Sequence, residues 1–264
     1  MSERVTLTFD GPIAHVQLNR PDKHNGLDAR MFDALVGTGK ALLGRRDVRA
    51  VVLSGAGPSF CAGMDFPSFM GDPSSMAHLL HRTDESPANV AQRVAWIWAE
   101  LEVPVIAALH GAVYGGGLQI ALAADIRYAA SDTRMSVMET RYGLIPDMTI
   151  TQTLTRLVRT DVARELVYTA RIIDAVEAAR LGLVTQLVDD PIATAFETAR
   201  RIAAASPHAI RGAKKLLNEV PDLDTKAALA LETEIQMTLL ASPNQMEAVQ
   251  ASFMKRPPVF QDPE

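Results

Sequence analysis

Three short segments of the 264-residue chain combine residue types that can take part in chemistry. Ser59–Asp65 is rich in small residues, so its backbone can turn sharply and leave amide N–H groups facing a ligand. Gly115–Gly117 separates a strand-like run from a helix-like run, which opens backbone donors and the positive end of a helix to an anion. Met138–Asp147 carries two carboxylic acids eight residues apart, Glu139 and Asp147.

Each segment also has an ordinary structural interpretation. The first fits a tight turn, the second fits close packing of a helix on a strand, and the third fits a solvated loop with Glu139 near Arg141. Asp147 is in addition a suitable N-cap for a helix that begins near Thr149. One alternative is excluded by spacing: the glycines are contiguous, whereas a dinucleotide-binding turn needs G-x-G-x-x-G.

Composition and charge narrow the class of protein. The chain is 48% hydrophobic and 22% charged, which is typical of a globular protein, and its formal net charge is −5. Basic residues form no stripe, so nucleic acid is not expected as a partner. The single cysteine, Cys61, excludes an intrachain disulfide and a cysteine-based metal cluster. We therefore expect no bound metal and a reducing, cytoplasmic compartment.

Neither a targeting segment nor a membrane span is expected. The first residues run directly into strand-like alternation and lack the apolar stretch of a signal peptide. Apolar runs all stay well short of the roughly 18 residues that a membrane span needs. Two further reactive side chains are expected to be structural: Cys61, since no basic residue lies nearby in sequence to activate it, and His110.

The pattern of strands and helices predicts an α/β fold. Residues 5–18 read as a β-hairpin, residues 50–54 and 105–109 as buried strands, and helices are expected after Asp28, from about residue 89 to 101, and after the triple glycine. The Pro- and Met-rich stretch 67–88 is expected to be a mobile loop with at most one helical turn. After residue 191 four helices are predicted, over 192–205, 208–218, 223–240 and 244–253.

Taken in order, these segments resemble the crotonase (enoyl-CoA hydratase/isomerase) family over essentially the whole chain. The motifs that carry the resemblance are Arg20-Pro21-Asp22-Lys23-His24-Asn25-Gly26-Leu27, Phe60-Cys61-Ala62-Gly63-Met64-Asp65, His110 to Gly117 followed by Ala124-Asp125-Ile126-Arg127-Tyr128-Ala129, Ala178 to Val184, and Phe253 to Phe260. Each motif is weak alone, but five in the family's order are a strong signal.

The resemblance implies a fold, an assembly and a substrate. It implies a crotonase-like spiral of ββα units over residues 1–190 and a helical oligomerisation region over residues 191–264, assembled as a homotrimer or a dimer of trimers. The substrate is an acyl-CoA thioester, with coenzyme A part of that substrate and no separate cofactor. We expect the stretch from Pro67 to Pro87 to shape the acyl pocket.

The resemblance also assigns roles to individual residues. The backbone N–H groups of Met64 and Gly116 are expected to hold the thioester oxygen as an oxyanion hole. The substrate-binding residues that it implies are Lys23, His24, Ala62, Gly63, Asp65, Gly115 and Lys255.

The side chains decide which reaction is expected. Family hydratases use two glutamates; the second corresponds to Glu139, while the first is replaced by Gln119, which can hold a water but cannot accept its proton. The spacing of Glu139 and Asp147 is similar to the dienoyl-CoA isomerase branch. Double-bond isomerisation is therefore the leading hypothesis. The alternatives are a 2-enoyl-CoA hydratase that uses Glu139, and a non-catalytic acyl-CoA-binding protein.

Overall fold

Two β-sheets and twelve α-helices make up the part of the chain that the computed structural model describes, residues 3–70, 73–82 and 86–264. The strands are β1 (Val5–Asp10), β2 (Ile13–Leu18), β3 (Ala50–Gly55), β4 (Val105–Leu109), β5 (Ala112–Tyr114), β6 (Ile126–Ala129), β7 (Arg134–Ser136), β8 (Ile173–Asp174) and β9 (Gln186–Leu187). The helices are α1 (Ala29–Leu42), α2 (Phe66–Phe69), α3 (Pro73–Leu79), α4 (Val90–Glu100), α5 (Gly116–Leu122), α6 (Ile150–Leu157), α7 (Thr160–Thr169), α8 (Ala175–Leu181), α9 (Pro191–Ala203), α10 (Pro207–Glu219), α11 (Thr225–Leu239) and α12 (Pro243–Phe253).

The larger sheet has the strand order β1-β2-β3-β4-β6-β9. Its first pair is the antiparallel hairpin that the alternating sequence predicts, and every following pair is parallel. Strands β3 and β4 are buried along their whole length, as near-continuous apolar runs in a parallel sheet should be. The smaller sheet has the order β5-β7-β8, so strand–helix alternation through residue 190 does give an α/β fold.

Apolar clusters cover both faces of the larger sheet. The main core contains Phe32, Phe60 and Trp98, all fully buried. On the other face, α9 lays alanine side chains against β2, β3, β4 and β6. Small side chains on this helix let its backbone approach the strands closely, so α9 belongs to the packed core of the protein.

Side-chain caps fix where two of the central helices begin. Asp28 accepts the Met31 N–H at 2.8 Å at the start of α1, as the sequence predicts. At the start of α4, Asn89 and Gln92 form a reciprocal capping box. Each cap satisfies backbone donors that have no partner within the helix, so these helices have well-defined first turns.

The stretch expected to be a loop contains two short helices, α2 and α3, so that prediction is wrong in part. Phe69 and Leu79 are buried, and the Phe69 ring packs edge-on against Phe32 with ring centroids 6.4 Å apart. Apolar anchors therefore stabilise helical turns where the sequence shows no helical period. The part of this expectation that falls on residues 71, 72 and 83–85 lies outside the described residues.

Helices α9 to α12 agree with the four helices predicted after residue 191. Helix α10 is tied to the core by Lys214, whose Nζ donates to Asp125 at 2.8 Å and to the carbonyls of Val103 and Trp98. The division of the chain at residue 190 stays a prediction. Within the described residues, every helix is too short or too polar to cross a lipid bilayer.

Candidate active site

The three segments singled out in the sequence meet at one cavity of about 360 Å³. The close approach depends on glycine. A Cβ on Gly63 would lie 2.7 Å from the carbonyl oxygen of Tyr114, and a Cβ on Gly117 would lie 2.3 Å from that of Cys61. The loop after β3 and the junction between β5 and α5 can therefore touch only because side chains are missing there.

Where these two segments border the cavity, the N–H groups of Met64 and Gly116 have no hydrogen-bond acceptor among the described residues. The peptides that flank Met64 bond to Leu27: Gly63 accepts its N–H at 2.8 Å and Asp65 donates to its carbonyl at 3.0 Å. The Gly115 N–H donates to the carbonyl of another strand, so Gly116 carries the first free donor of α5. Within residues 3–70, 73–82 and 86–264, no hydrogen bond occupies the N–H of Met64 or Gly116, and both residues line the cavity.

Glu139 reaches the same wall from a 3-10 turn over Glu139–Tyr142, which ends at Gly143 in the left-handed region. Its Oε1 lies so near Gly115 that a Cβ on that glycine would be 3.3 Å away. The other oxygen, Oε2, is buried and has no hydrogen-bond partner among the described residues. Burial raises the pKa of Glu139, and the charge of Asp147 adds to the rise.

Gln119, on α5, holds Glu139 in place. Its Nε2 donates to Glu139 Oε1 at 2.7 Å, and its Oε1 accepts the Met148 N–H at 2.8 Å. The side chain is 1% exposed. An amide at this position is expected to hold a water, but in the structure its oxygen and one of its N–H groups already bind protein atoms. The donated N–H also opposes the rise in the pKa of Glu139, because it stabilises the charged form.

Asp147 is half-buried and lines the cavity together with Glu139. Burial raises the pKa of this carboxyl as well. The alternative that Asp147 caps the following helix is wrong: α6 begins at Ile150, and Thr149 occupies the N-cap position. The turn at Gly143 thus brings two acids to one cavity, as the broken spacing predicts.

Comparison with known proteins agrees with this geometry. The family model described as enoyl-CoA hydratase/isomerase matches residues 8–263. The chain belongs to the enoyl-CoA hydratase/isomerase family. It is 34% identical to the short-chain-enoyl-CoA hydratase of Clostridium acetobutylicum, over 96% of this chain and 95% of that protein. It is 32% identical to the mitochondrial Delta(3,5)-Delta(2,4)-dienoyl-CoA isomerase of Rattus norvegicus, over 92% of this chain and 77% of that protein.

The fold of the enoyl-CoA hydratase/isomerase family is shown by solved structures as well. The crystal structure of an enoyl-CoA hydratase from Bacillus anthracis superposes with a TM-score of 0.90 at 29% identity, covering 97% of this chain and 98% of that chain. The crotonase-like fold expected from the motifs is therefore confirmed. Members of this family act on acyl-CoA thioesters, so the protein is an enzyme of that family with an acyl-CoA substrate.

The substrate-binding residues expected from the family resemblance fall into two groups. Ala62, Gly63 and Gly115 line the cavity beside the two free donors. Asp65 instead pairs with Arg20, with 2.7 Å between its Oδ2 and the guanidinium. The carboxylate of Asp65 therefore stabilises the loop after β3 from outside the cavity, a role that spacing in sequence does not reveal.

Three basic candidates lie outside the cavity lining. Lys23 and His24 are exposed; His24 Nδ1 is 2.9 Å from Ser59 Oγ, and its carbonyl accepts the Ala62 N–H. These contacts attach the basic turn to the loop that carries Met64. Lys255 is exposed beyond the end of α12. Among the described residues, no group of three or more potential metal ligands is clustered, here or elsewhere.

The structure also places the two side chains expected to be structural. Cys61 is buried, its thiol donates to the Asn25 carbonyl at 3.1 Å, and burial raises its pKa to about 12. The His110 ring contacts the Gly57 carbonyl at 2.9 Å. Cys61 is therefore a buried packing residue and His110 a hydrogen-bonded one, which agrees with the structural roles expected for them.

Part of the apolar lining comes from a stretch that the sequence indicates, and part does not. Helix α3 contributes Met76 and Leu79, and Leu80 directly follows the helix; all three belong to the stretch expected to shape the acyl pocket. The segment that carries the two acids adds apolar neighbours that the sequence pattern does not single out: Met138, Tyr142, Leu144, Ile145 and Met148. A run of apolar residues next to a candidate acid, within a loop, is the signal that could have found them.

Proposed function

We propose that the protein is a carbon–carbon double-bond isomerase that acts on an enoyl- or dienoyl-CoA through a thioester enolate. One observation carries this proposal: two carboxyl groups, Glu139 and Asp147, line the same cavity as two unused backbone donors. A proton shift along an acyl chain needs both elements, because a proton must leave one carbon and return to another while the charge is held on oxygen.

The donors act on the charged oxygen. When a proton leaves a carbon conjugated with the thioester, negative charge develops on the carbonyl oxygen. The N–H groups of Met64 and Gly116 are fixed by their loops, so they need no reorganisation to stabilise that charge. In comparable sites, losing one such donor raises the barrier by about 3–4 kcal/mol.

The two acids share the proton transfers. Glu139 takes the proton with its free Oε2, while Gln119 holds its Oε1. In the reactive form of the pair Asp147 carries the proton and delivers it to the distant carbon; burial, which raises the pKa of Asp147, favours that form. Like charges in one apolar site favour a pair in which one acid is ionised and the other neutral. One proton leaves the substrate and one returns, so substrate and product differ only in the position of the double bonds. A proton must then pass from Glu139 back to Asp147 before the next turnover.

Kinetics with a 3,5-dienoyl-CoA test this proposal. Glu139→Gln and Asp147→Asn should each lower isomerisation by about 10²-fold or more, because a positioned acid or base contributes on that scale. The affinity for a saturated acyl-CoA should stay nearly unchanged. Asp33→Asn, on the exposed face of α1, is the matched control. Wild-type turnover by the Asp147→Asn protein would contradict the two-acid mechanism.

Hydration is the second candidate. Its support is the 34% identity to the short-chain-enoyl-CoA hydratase of Clostridium acetobutylicum, together with the presence of Glu139. Ultraviolet scans separate the possibilities: loss of enoyl absorbance with crotonyl-CoA indicates hydration, and gain of conjugation with a 3,5-dienoyl-CoA indicates isomerisation. Silence in both assays, with binding retained, indicates a non-catalytic acyl-CoA-binding protein.

We also propose that catalysis needs neither a metal nor a nicotinamide, since the two acids and two N–H donors supply every group that the proton shift uses. The lone buried cysteine supports a reducing, cytoplasmic setting. A chelator tests whether catalysis needs a metal. With the chelator present, we expect calorimetry to show binding of acetyl-CoA and the kinetic assay to show undiminished turnover.

A further inference from the structure

The cavity is larger than the reacting atoms require. Its volume of about 360 Å³ accommodates roughly a dozen groups of the size of water, at about 30 Å³ each. The thioester carbonyl and the carbons that exchange a proton fill only part of that space. They must lie near Gly115, Gly116 and Glu139, because the free donors and the free oxygen are there.

The remaining wall is apolar and comes from separate elements. Met76 and Leu79 project from α3, Phe66 from α2, and Leu144 from the segment that follows Gly143. The Phe66 ring lies against that of Tyr142 with 4.8 Å between centroids, which joins α2 to the 3-10 turn just before Gly143. Such a wall gains free energy by burying hydrocarbon and offers little to a polar chain.

The apolar surface continues from the cavity to solvent. Leu80 is 61% exposed and Ile145 is 74% exposed, and both line this same cavity. Single exposed leucines are ordinary on a protein surface. At the open end of an apolar cavity, however, they extend the surface that a long ligand can cover.

We propose that the acyl group is an uncharged hydrocarbon chain of medium length, about eight to ten carbons, whose distal part lies against Leu80 and Ile145. This inference rests on the proposed function, since it concerns the acyl chain of that substrate. A chain that ends in a carboxylate is disfavoured, because its charge would enter an apolar site that already holds Glu139 and Asp147.

Binding of saturated acyl-CoAs tests the proposal without turnover, because they have no double bond to move or hydrate. We expect calorimetry to show octanoyl-CoA binding about tenfold to a hundredfold more tightly than butyryl-CoA. Glutaryl-CoA should bind at least about tenfold more weakly than butyryl-CoA. Equal affinity for the butyryl and octanoyl forms, or tightest binding of the glutaryl form, overturns the inference.

Two matched variants test where the distal part of the acyl chain binds. Ile145→Ser should weaken octanoyl-CoA binding by about threefold to tenfold and leave butyryl-CoA binding unchanged. Leu217→Ser, equally exposed at 74% but on α10, should change neither affinity. Loss of both affinities in Ile145→Ser, or of neither, contradicts the assigned position of the chain. Failure of the wild-type protein to bind any of the three acyl-CoAs overturns the proposed function itself, which is a distinct result.

Discussion

The hydrogen bond between Gln119 and Glu139 allows a direct test of whether a second acid beside Glu139 would enable hydration. Gln119→Glu replaces the Nε2 donor with an oxygen 2.7 Å from Glu139 Oε1. The remaining oxygen can still accept the Met148 N–H, which lies 2.8 Å from the present amide oxygen. The substitution therefore keeps the shape of the site and changes only its charge and proton count.

The distance between the two side chains sets the strength of the repulsion between two carboxylates at these positions. Two full negative charges 2.7 Å apart repel with roughly 6 kcal/mol at an effective dielectric constant of about 20. That energy is enough to keep one proton on the pair at neutral pH, giving one carboxylate and one carboxylic acid. Such a pair can activate a water and return a proton. We expect hydration of crotonyl-CoA to rise by about 10²-fold, the lower end of what a positioned acid–base group contributes.

The assay follows loss of crotonyl-CoA absorbance across a range of pH. In the wild-type protein burial raises the pKa of Glu139 and the Gln119 N–H opposes that rise, whereas a second acid would add to it. The acidic limb of the pH–rate profile should therefore move to higher pH in Gln119→Glu. Gln119→Met is the control: it removes the donor but adds no acid, so hydration should not increase. If Gln119→Glu binds butyryl-CoA normally and still hydrates no faster than wild type, the missing acid at position 119 is not what limits hydration.

Three more predictions concern stability and assembly. Burial raises the pKa of Glu139 in the folded protein, so ionisation of this carboxyl as pH rises stabilises the unfolded chain more than the folded one. Glu139→Gln removes that effect and should raise Tm near pH 8 but leave it unchanged below about pH 4. Gly117→Ala should lower the free energy of unfolding in denaturant titrations by about 1–3 kcal/mol, because its Cβ meets the Cys61 carbonyl, whereas Gly37→Ala, with open space around it, should not lower it. Light scattering should report a trimer or a dimer of trimers, since α11 and α12 expose many apolar side chains, and a monomer at micromolar concentration would contradict this.

Features with local causes were predictable from the sequence. The β1–β2 hairpin follows from alternation around a tight turn, and the start of α1 follows from Asp28, which caps it through the N–H of Met31 three residues later. The convergence of the two acids was also predictable, because Gly143 and Pro146 interrupt any continuous helix between them. In these cases the determining residues are neighbours along the chain.

Features that depend on distant partners were not predictable. The amide of Gln119 is held by groups 20 and 29 residues away, so its role as a clamp on Glu139 appears only in three dimensions. Asp65 is the last residue of a family motif and was expected to bind substrate, but it pairs with Arg20 from the segment after β2. Helices α2 and α3 owe their stability to buried anchors such as Phe69 and Leu79. Tertiary contacts override local pattern in all three cases.

The contact between Lys214 and Asp125 restricts how this protein can be recombined with its relatives. The ammonium group is 6% exposed and sits among main-chain carbonyls at the end of α4. Losing the carboxylate would leave a buried charge without its counter-ion, at a cost of about 3–5 kcal/mol. A chimaera that joins residues 1–190 of one parent to residues 191–264 of another keeps this ion pair only if the first parent supplies Asp125 and the second supplies Lys214; a chimaera with the lysine alone carries the whole of that cost.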